Sequence, residues 1–202
     1  MALNVEPEEV MASRAQGASN IRIMIKELLE NNCIKIGSFK LKSGDISKYY
    51  YDMKNLISNP PLLANISDEL YKLMDECDII CGVPIGGLPI STCISVKYNK
   101  PMIIVRDEAK EYGTKKCIEG NYTKTDKCII IDDVISSGSS VQKVVDILLE
   151  EVNLVGVVVV IDRLPPIGRR MAAEHRAQAA ALHVPRNRHT GEIEYCRSVV
   201  NV

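Results

Sequence analysis

The sequence has no tryptophan and only one phenylalanine, and its 25 basic and 26 acidic residues leave a formal net charge of −1. A chain without a positive excess does not have the charge balance of a protein that binds nucleic acid or a membrane surface. The longest apolar run, residues 155–161, is far shorter than the roughly 20 residues that a membrane-spanning helix needs. Composition therefore argues against nucleic-acid and membrane partners.

Motifs for disulfide frameworks, zinc sites and secretion are also absent. The seven cysteines are an odd number, and none forms a CxxC pair or a cluster with histidine at metal-ligand spacing. Residues 1–19 lack the basic start and apolar stretch of a signal peptide. Reduced thiols in a cytoplasmic protein explain this pattern better than disulfides do. A length of 202 residues suits one domain with a full core, or one domain with a small appendage.

Segments with helical spacing alternate with short, continuously apolar segments along most of the chain. Continuous apolar strands between helices predict a parallel sheet covered on both faces. Residues 34–55 instead alternate and turn at residues 43–45, which predicts a hairpin. The predicted order is helix 21–29, hairpin 34–55, helix 60–74, strand 78–83, helix 87–98, strand 101–105, strand 127–131, helix 139–152 and strand 154–161.

The stretch CIIIDDVISSGSS, residues 128–140, joins a predicted buried strand to a predicted helix. In open α/β sheets, ligands bind at the carboxyl ends of the strands, where such loops lie. Small residues allow the backbone N–H groups of residues 136–140 to close around an anion, and the helix dipole adds positive potential. The sequence therefore predicts a phosphate pocket, although serine and glycine also form ordinary turns.

Asp132 and Asp133 precede this loop and would repel a phosphate group. Carboxylates beside a phosphate site usually accept hydrogen bonds from sugar hydroxyls or help to hold Mg²⁺. A ligand with a phosphate, a diol and a metal-bound group is a phosphorylated ribose. The simpler alternative is that the two aspartates only cap the loop.

The whole stretch 128–140 resembles the phosphoribosyl-diphosphate (PRPP) signature of type I phosphoribosyltransferases. Four further segments resemble orotate phosphoribosyltransferases in their order and spacing: residues 37–53, 81–92, 105–120 and 160–163. The first of these distinguishes the orotate enzymes from the purine and uracil transferases. The resemblance implies an α/β fold with a parallel sheet flanked by helices, and a small N-terminal hood. It divides the chain into a flexible N-terminus (1–19), a transferase domain (20–163, with hood 20–57 and core 58–163) and an atypical Arg/Ala-rich segment (164–202).

The resemblance also implies an activity and a set of site residues. The enzyme would transfer the 5-phosphoribosyl group from PRPP to orotate, giving orotidine 5′-monophosphate and diphosphate in UMP biosynthesis. It would use Mg²⁺ and work as a homodimer with shared sites. The implied catalytic residues are Lys110, Asp132 and Asp133. PRPP would be bound by Ile85, Gly86, Arg106, Lys110, Tyr112, Asp132, Asp133, Val134, Ile135, Ser136, Ser137, Gly138, Ser139 and Ser140. Orotate would be bound by Lys42, Tyr50, Tyr51, Ser136 and Arg163, and Mg²⁺ by Asp132 and Asp133, mostly through PRPP and water.

Two positions depart from the family pattern. Gly86 stands where many relatives have a bulkier or basic residue, and Asp107 stands where a lysine is usual. These departures suggest one alternative, a non-catalytic PRPP-binding regulatory protein. Another type I phosphoribosyltransferase is a second alternative.

Overall fold

The computed structural model of the chain describes residues 21–40, 44, 46–106, 117–163 and 196–201. Its residues divide into two compact units, the first ending at Asn59 and the second beginning at Pro60. The predicted flexible N-terminus and residues 164–195 of the Arg/Ala-rich segment lie outside the described residues.

The first unit contains a helix and a hairpin, as the sequence predicts. Helix α1 covers residues 21–30, and Met24 and Leu28 form its buried face at a spacing of four residues. Strand β1 (Ile34–Lys40) pairs antiparallel with β2 (Ile46–Tyr51), and a 3₁₀ helix (Met53–Ser58) follows. Residues 43 and 45 of the predicted turn lie outside the described residues.

The second unit is built on a six-stranded sheet in the order β5-β4-β3-β6-β7-β8. Its strands are β3 (Ile79–Gly82), β4 (Met102–Val105), β5 (Ile118–Glu119), β6 (Lys127–Ile135), β7 (Asn153–Asp162) and β8 (Cys196–Asn201). Every neighbouring pair is parallel except β4 and β5. The predicted parallel sheet is thus confirmed, with one short antiparallel strand added at its edge.

The part of this unit that the structure describes contains three α-helices: α2 (Pro60–Leu73), α3 (Gly87–Tyr98) and α4 (Ser139–Leu148). Helix α2 begins at a proline, whose missing N–H costs nothing in the first turn. Helix α3 has the predicted bounds. Its C-cap is Asn99, which adopts a left-handed conformation with φ 51°. Helix α4 buries Val141, Val144 and Leu148, the face that the sequence predicts.

Two strands differ from the expectation. Strand β6 runs to Ile135 rather than ending at residue 131, because β7 continues beside it and pairs with Asp132, Val134 and Ile135. Residues 196–201 form β8, which pairs parallel with β7, although no strand of the core sheet was predicted in this segment.

The apolar core of the second unit includes residues of β3, β4, β6, β7 and α4. Burial raises the pKa of the Cys81 thiol to about 12 and raises that of Cys128 as well. The six cysteines within the described residues whose side chains are placed are all free thiols. Among the described residues, no helix is long and apolar enough to cross a membrane.

Candidate active site

Two strand-to-helix loops lie at the edge of the sheet that is formed by the carboxyl ends of its parallel strands. Strands β3 and β6 are parallel neighbours, so both deliver their following residues to the same edge. The β3–α3 loop consists of residues 83–86 and the β6–α4 loop of residues 136–138. This edge is the expected ligand-binding position of an open α/β sheet.

The two adjacent carboxylates are at the end of β6. Asp132 is 5% exposed, whereas Asp133 is half-buried. The backbone N–H of Asp133 donates to Asp132 Oδ1 at 2.9 Å, and that of Val134 donates to Asp133 Oδ1 at 2.8 Å. Each carboxylate therefore caps the next peptide group, as the loop-capping alternative predicts. A carboxylate has further lone pairs, so the partly exposed Asp133 can also accept hydrogen bonds from a ligand.

The β6–α4 loop is shaped to hold an anion. Gly138 is the N-cap of α4 with φ 79° and has no side chain with which to cap the helix. The Ser139 N–H has a long contact of 3.4 Å to Ser137 Oγ. The first N–H groups of a helix have no acceptor within the helix, and they carry the positive end of its dipole. The hydroxyls of Ser137 and Ser139 lie 3.1 Å apart. Four serines around this turn are exposed: Ser136, Ser137, Ser139 and Ser140. The geometry suits a phosphate monoester.

The β3–α3 loop approaches β6 closely. The Val83 N–H donates to Ile131 O at 2.8 Å, and the Gly87 N–H returns to Val83 O at 2.9 Å. A Cβ at Gly87 would overlap the carbonyl oxygen of Ile131, and a Cβ at Gly86 would overlap the carboxylate of Asp133. The backbone of this loop therefore lies directly beside the Asp133 side chain, while Ile85 is 70% exposed.

Two arginines flank this edge of the sheet. Arg106 follows β4, and its Nη1 lies 3.6 Å from Oε1 of Glu119 on β5. The N–H of Arg106 donates to Cys117 O at 2.8 Å, so the described residues on either side of 107–116 are held together. The N–H of Arg163 donates to Ile135 O at 2.9 Å, which fixes the end of β7 beside the β6–α4 loop.

The second unit brings most of its described predicted site residues to this edge. Ile85, Gly86, Asp132, Asp133 and the residues of 136–140 belong to the two loops or their flanks. Val134 and Ile135 lie within β6: the Val134 N–H is bound by Asp133, and the Ile135 side chain is part of the apolar core. Lys42, Lys110 and Tyr112 lie outside the described residues.

Tyr50 and Tyr51 belong to the first unit, on β2. The ring of Tyr50 lies 5.5 Å from that of Phe39, centroid to centroid, and Lys35 Nζ is 5.9 Å from the Tyr50 centroid. Tyr50 is 44% exposed, so part of this side chain is accessible to a ligand.

Two acidic residues were not predicted as part of this region. Asp162 ends β7, is 4% exposed and pairs in register with Ile135. Glu119 is the partner of Arg106. Asp162 follows an uninterrupted apolar run, which is the same signal that identified Asp132, whereas Glu119 has no comparable pattern around it.

The site combines an anion-binding helix start, paired carboxylates and a second backbone loop at one edge of a parallel sheet, which defines a phosphoribosyltransferase. The family model for the phosphoribosyl transferase domain matches residues 52–176, more than half of the chain.

Comparison with individual proteins narrows the class. Over 145 residues the chain is 41% identical to the orotate phosphoribosyltransferase of Pyrococcus horikoshii, covering 69% of this chain and 78% of that protein. It is 40% identical to the orotate phosphoribosyltransferase of Methanocaldococcus jannaschii, covering 70% and 81%. The crystal structure of orotate phosphoribosyltransferase from Aeropyrum pernix superposes with a TM-score of 0.68 at 26% identity, covering 88% of this chain and 92% of that chain. The chain belongs to the orotate phosphoribosyltransferase family.

Proposed function

We propose that this protein transfers the 5-phosphoribosyl group from PRPP to orotate, forming orotidine 5′-monophosphate and releasing diphosphate, a step of UMP biosynthesis. The sugar C1–O bond to diphosphate breaks with its electron pair leaving on diphosphate. A ring nitrogen of orotate forms the new C–N bond and loses its proton. The observation that carries the proposal is the glycine N-cap of α4, which lies shortly after the paired aspartates of β6.

The β6–α4 loop would bind the 5-phosphate of PRPP. Its exposed serine hydroxyls and the amides of the first helical turn, which have no acceptor within the helix, would donate to phosphate oxygens. Binding the non-reacting phosphate supplies orientation, which lowers the entropy cost of bringing the sugar to the second substrate.

Asp133 would act on the ribose. Ribosyl transfer passes through a cation-like sugar, as glycoside hydrolysis does. A half-buried carboxylate beside the sugar ring stabilises positive charge that develops in the transition state, and it accepts hydrogen bonds from the ring hydroxyls. Asp132, which is almost fully buried, holds the Asp133 peptide in place through its Oδ1.

The backbone of the β3–α3 loop would hold the diphosphate. Arg106 lies at the same edge and is about half-exposed, so its guanidinium can exchange Glu119 for diphosphate oxygens. Family resemblance supports further roles for Lys110 and Tyr112 on PRPP, and for Lys42, Tyr50, Tyr51 and Arg163 on orotate.

Mg²⁺ fits this site as a shared ligand rather than as an ion held by the protein alone. No group of three or more side chains that could hold a metal exists among the described residues. Asp133, and to a smaller extent Asp132, offer oxygen donors, and most ligands would come from PRPP and water. When bound, the ion would neutralise charge on the departing diphosphate.

The proposal includes a cytoplasmic homodimer in which the segment around Lys110 serves the neighbouring subunit's site. Resemblance to the family supports this assembly. The proposal includes no nucleic-acid or membrane partner, since both substrates are small molecules and the net charge is near zero.

The experiment follows the absorbance of orotate in the presence of protein, PRPP and Mg²⁺. We expect orotate to be consumed and diphosphate to appear in equal amounts, and excess chelator to stop the reaction. Parallel reactions with purine bases and uracil test the other type I transferases. PRPP binding without consumption of any base would indicate a non-catalytic PRPP-binding protein and would contradict the proposal.

A further inference from the structure

Gly86 lies where the two loops of the site meet. A Cβ built on Gly86 would overlap three atoms of one side chain: Cγ, Oδ1 and Oδ2 of Asp133. The neighbouring Gly87 is different, because its Cβ would meet the backbone of Ile131 and Asp132. The three nearest atoms at position 86 therefore all belong to one carboxylate, and the three nearest atoms at position 87 belong to the backbone of β6.

The backbone of Gly86 gives no reason for a glycine. Its φ of −67° and ψ of −36° are ordinary right-handed helical values, which alanine adopts without strain. At such positions, replacing glycine by alanine normally stabilises a protein, because it restricts the unfolded chain. The requirement for glycine at this position therefore comes from Asp133.

The Asp133 carboxylate is in turn held in its present position. Its Oδ1 accepts the Val134 N–H at 2.8 Å, a bond that a rotation of the side chain away from Gly86 would break. A side chain at position 86 would thus displace the carboxylate and leave the Val134 amide without this acceptor.

We propose that Gly86 is a positioning residue for Asp133. The bare backbone of the β3–α3 loop forms the surface against which the carboxylate rests, so this loop and the sugar-facing carboxylate keep one relative position. The absence of a side chain at this position is on this view part of the active-site geometry and not a loss of function. The effect on turnover rests on the function proposed above, whereas the contact itself can be tested without any substrate.

The experiment is a double-mutant cycle on stability. Gly86→Ala in the wild-type background should lower the melting temperature by about 2 °C or more, because the new methyl group displaces the carboxylate. In an Asp133→Ala background the three overlapping atoms are absent. There, Gly86→Ala should raise the melting temperature by about 1 to 4 °C. Equal shifts in the two backgrounds overturn the proposal.

Hydrogen exchange of the Val134 amide provides a second readout that needs only the single variant. Gly86→Ala should speed this exchange at least severalfold, since the Asp133 acceptor moves away. Exchange at the wild-type rate means that the carboxylate has not moved, which also overturns the proposal.

Turnover separates positioning from a general effect of adding a methyl group. Gly86→Ala should reduce kcat/KM for PRPP about tenfold, the loss of one charge-assisted contact. The matched control is Gly156→Ala on β7, where a Cβ meets nothing within 4 Å; its kcat/KM should equal that of the wild type. If wild-type protein does not consume orotate while the stability coupling is present, the proposed function fails and the contact between Gly86 and Asp133 stands.

Discussion

The β3–α3 and β6–α4 loops make the same kind of connection, from a strand to a helix, but their conformations have different causes. Each leads from a parallel strand to a helix whose N-cap is a glycine, Gly86 or Gly138, and neither glycine has a side chain with which to cap its helix. Gly138 is left-handed, and a Cβ there would touch only Ile135 Cδ1 at an ordinary 3.8 Å. Gly86 is right-handed, and its Cβ would overlap Asp133. One glycine is required by its own backbone and the other by a neighbour distant in sequence.

This difference decides which loop a sequence can predict. The backbone at Gly138 is set by local turn chemistry, since serines and a glycine between a strand and a helix indicate a left-handed turn and exposed amides. The contact of Gly86 with Asp133 depends on how β3 and β6 are paired, which no local pattern contains. Gly86 by itself therefore looks like a departure from the family.

The largest effect should come from Gly87→Ala, which tests whether the β3–α3 loop is fixed by the strand behind it. Its Cβ would overlap the Ile131 carbonyl oxygen, and backbone cannot rotate away as a side chain can. We expect a loss of about 3 kcal/mol in the free energy of unfolding, measured in urea. A loss equal to that of Gly156→Ala would mean that α3 can shift away from β6 without cost.

Asp133→Asn should have the next largest effect and should leave the fold intact. The amide oxygen can still accept the Val134 N–H, but the negative charge beneath the sugar is lost. We expect kcat to fall more than tenfold, about 1.4 kcal/mol or more in the barrier, with an unchanged urea midpoint. Unchanged kinetics and PRPP affinity would return the aspartate to a loop-capping role.

Gly138→Ala should have a smaller effect of a different kind. The left-handed backbone at φ 79° costs an alanine about 1 kcal/mol, with no steric overlap to relieve. We expect this loss in the free energy of unfolding and a severalfold weaker binding of PRPP, measured by titration calorimetry. Gly138→Asn should lose less, since asparagine tolerates this conformation. Equal losses for both variants would contradict a backbone origin.

Asp68→Asn should have the smallest effect. Asp68 lies on α2 and accepts hydrogen bonds from the C-terminal end of α3, far along that helix from the loop of the site, so its replacement should change stability and leave catalysis unchanged. Burial opposes ionisation of Asp68, but hydrogen bonds from Lys97 and Tyr98 outweigh it and lower its pKa below the ordinary 3.8. Because the pKa is lower in the folded state, this stabilisation is present above pH 3.8 and is lost as the pH falls through the lowered value.

For this partly exposed pair we expect a loss of about 0.5 kcal/mol at pH 7 in Asp68→Asn. The loss should shrink towards zero in acid, as followed by urea unfolding at several pH values, with kcat unchanged at neutral pH. A loss that is independent of pH would indicate that the charge of Asp68 contributes nothing.

Most of the second unit could be predicted from sequence because its elements are long and strongly patterned. The bounds of α3 were predicted to the residue, and so was the start of α4 at Ser139. Strand β5 has only two residues, too few to show a period. Strand β8 follows a segment in which the sequence shows no motif of the family, and it pairs with β7 across a long sequence separation. The ion pair of Arg106 with Glu119 also depends on the pairing of β4 with β5.

The position of β8 has a consequence for how the chain folds. Strand β7 contains the run VGVVVVI at residues 155–161, a composition prone to cross-chain pairing when its edge is open. Its covering strand comes from far along the chain, with Val157 pairing with Cys196, so closure of that edge is entropically slow. Arg197 donates to Leu73 O at 3.0 Å and to Asp75 Oδ1 at 2.9 Å, which ties β8 to the end of α2 once it has docked. A chain in which β8 has not yet docked would expose this apolar edge, and we expect the refolding yield to fall as the protein concentration rises.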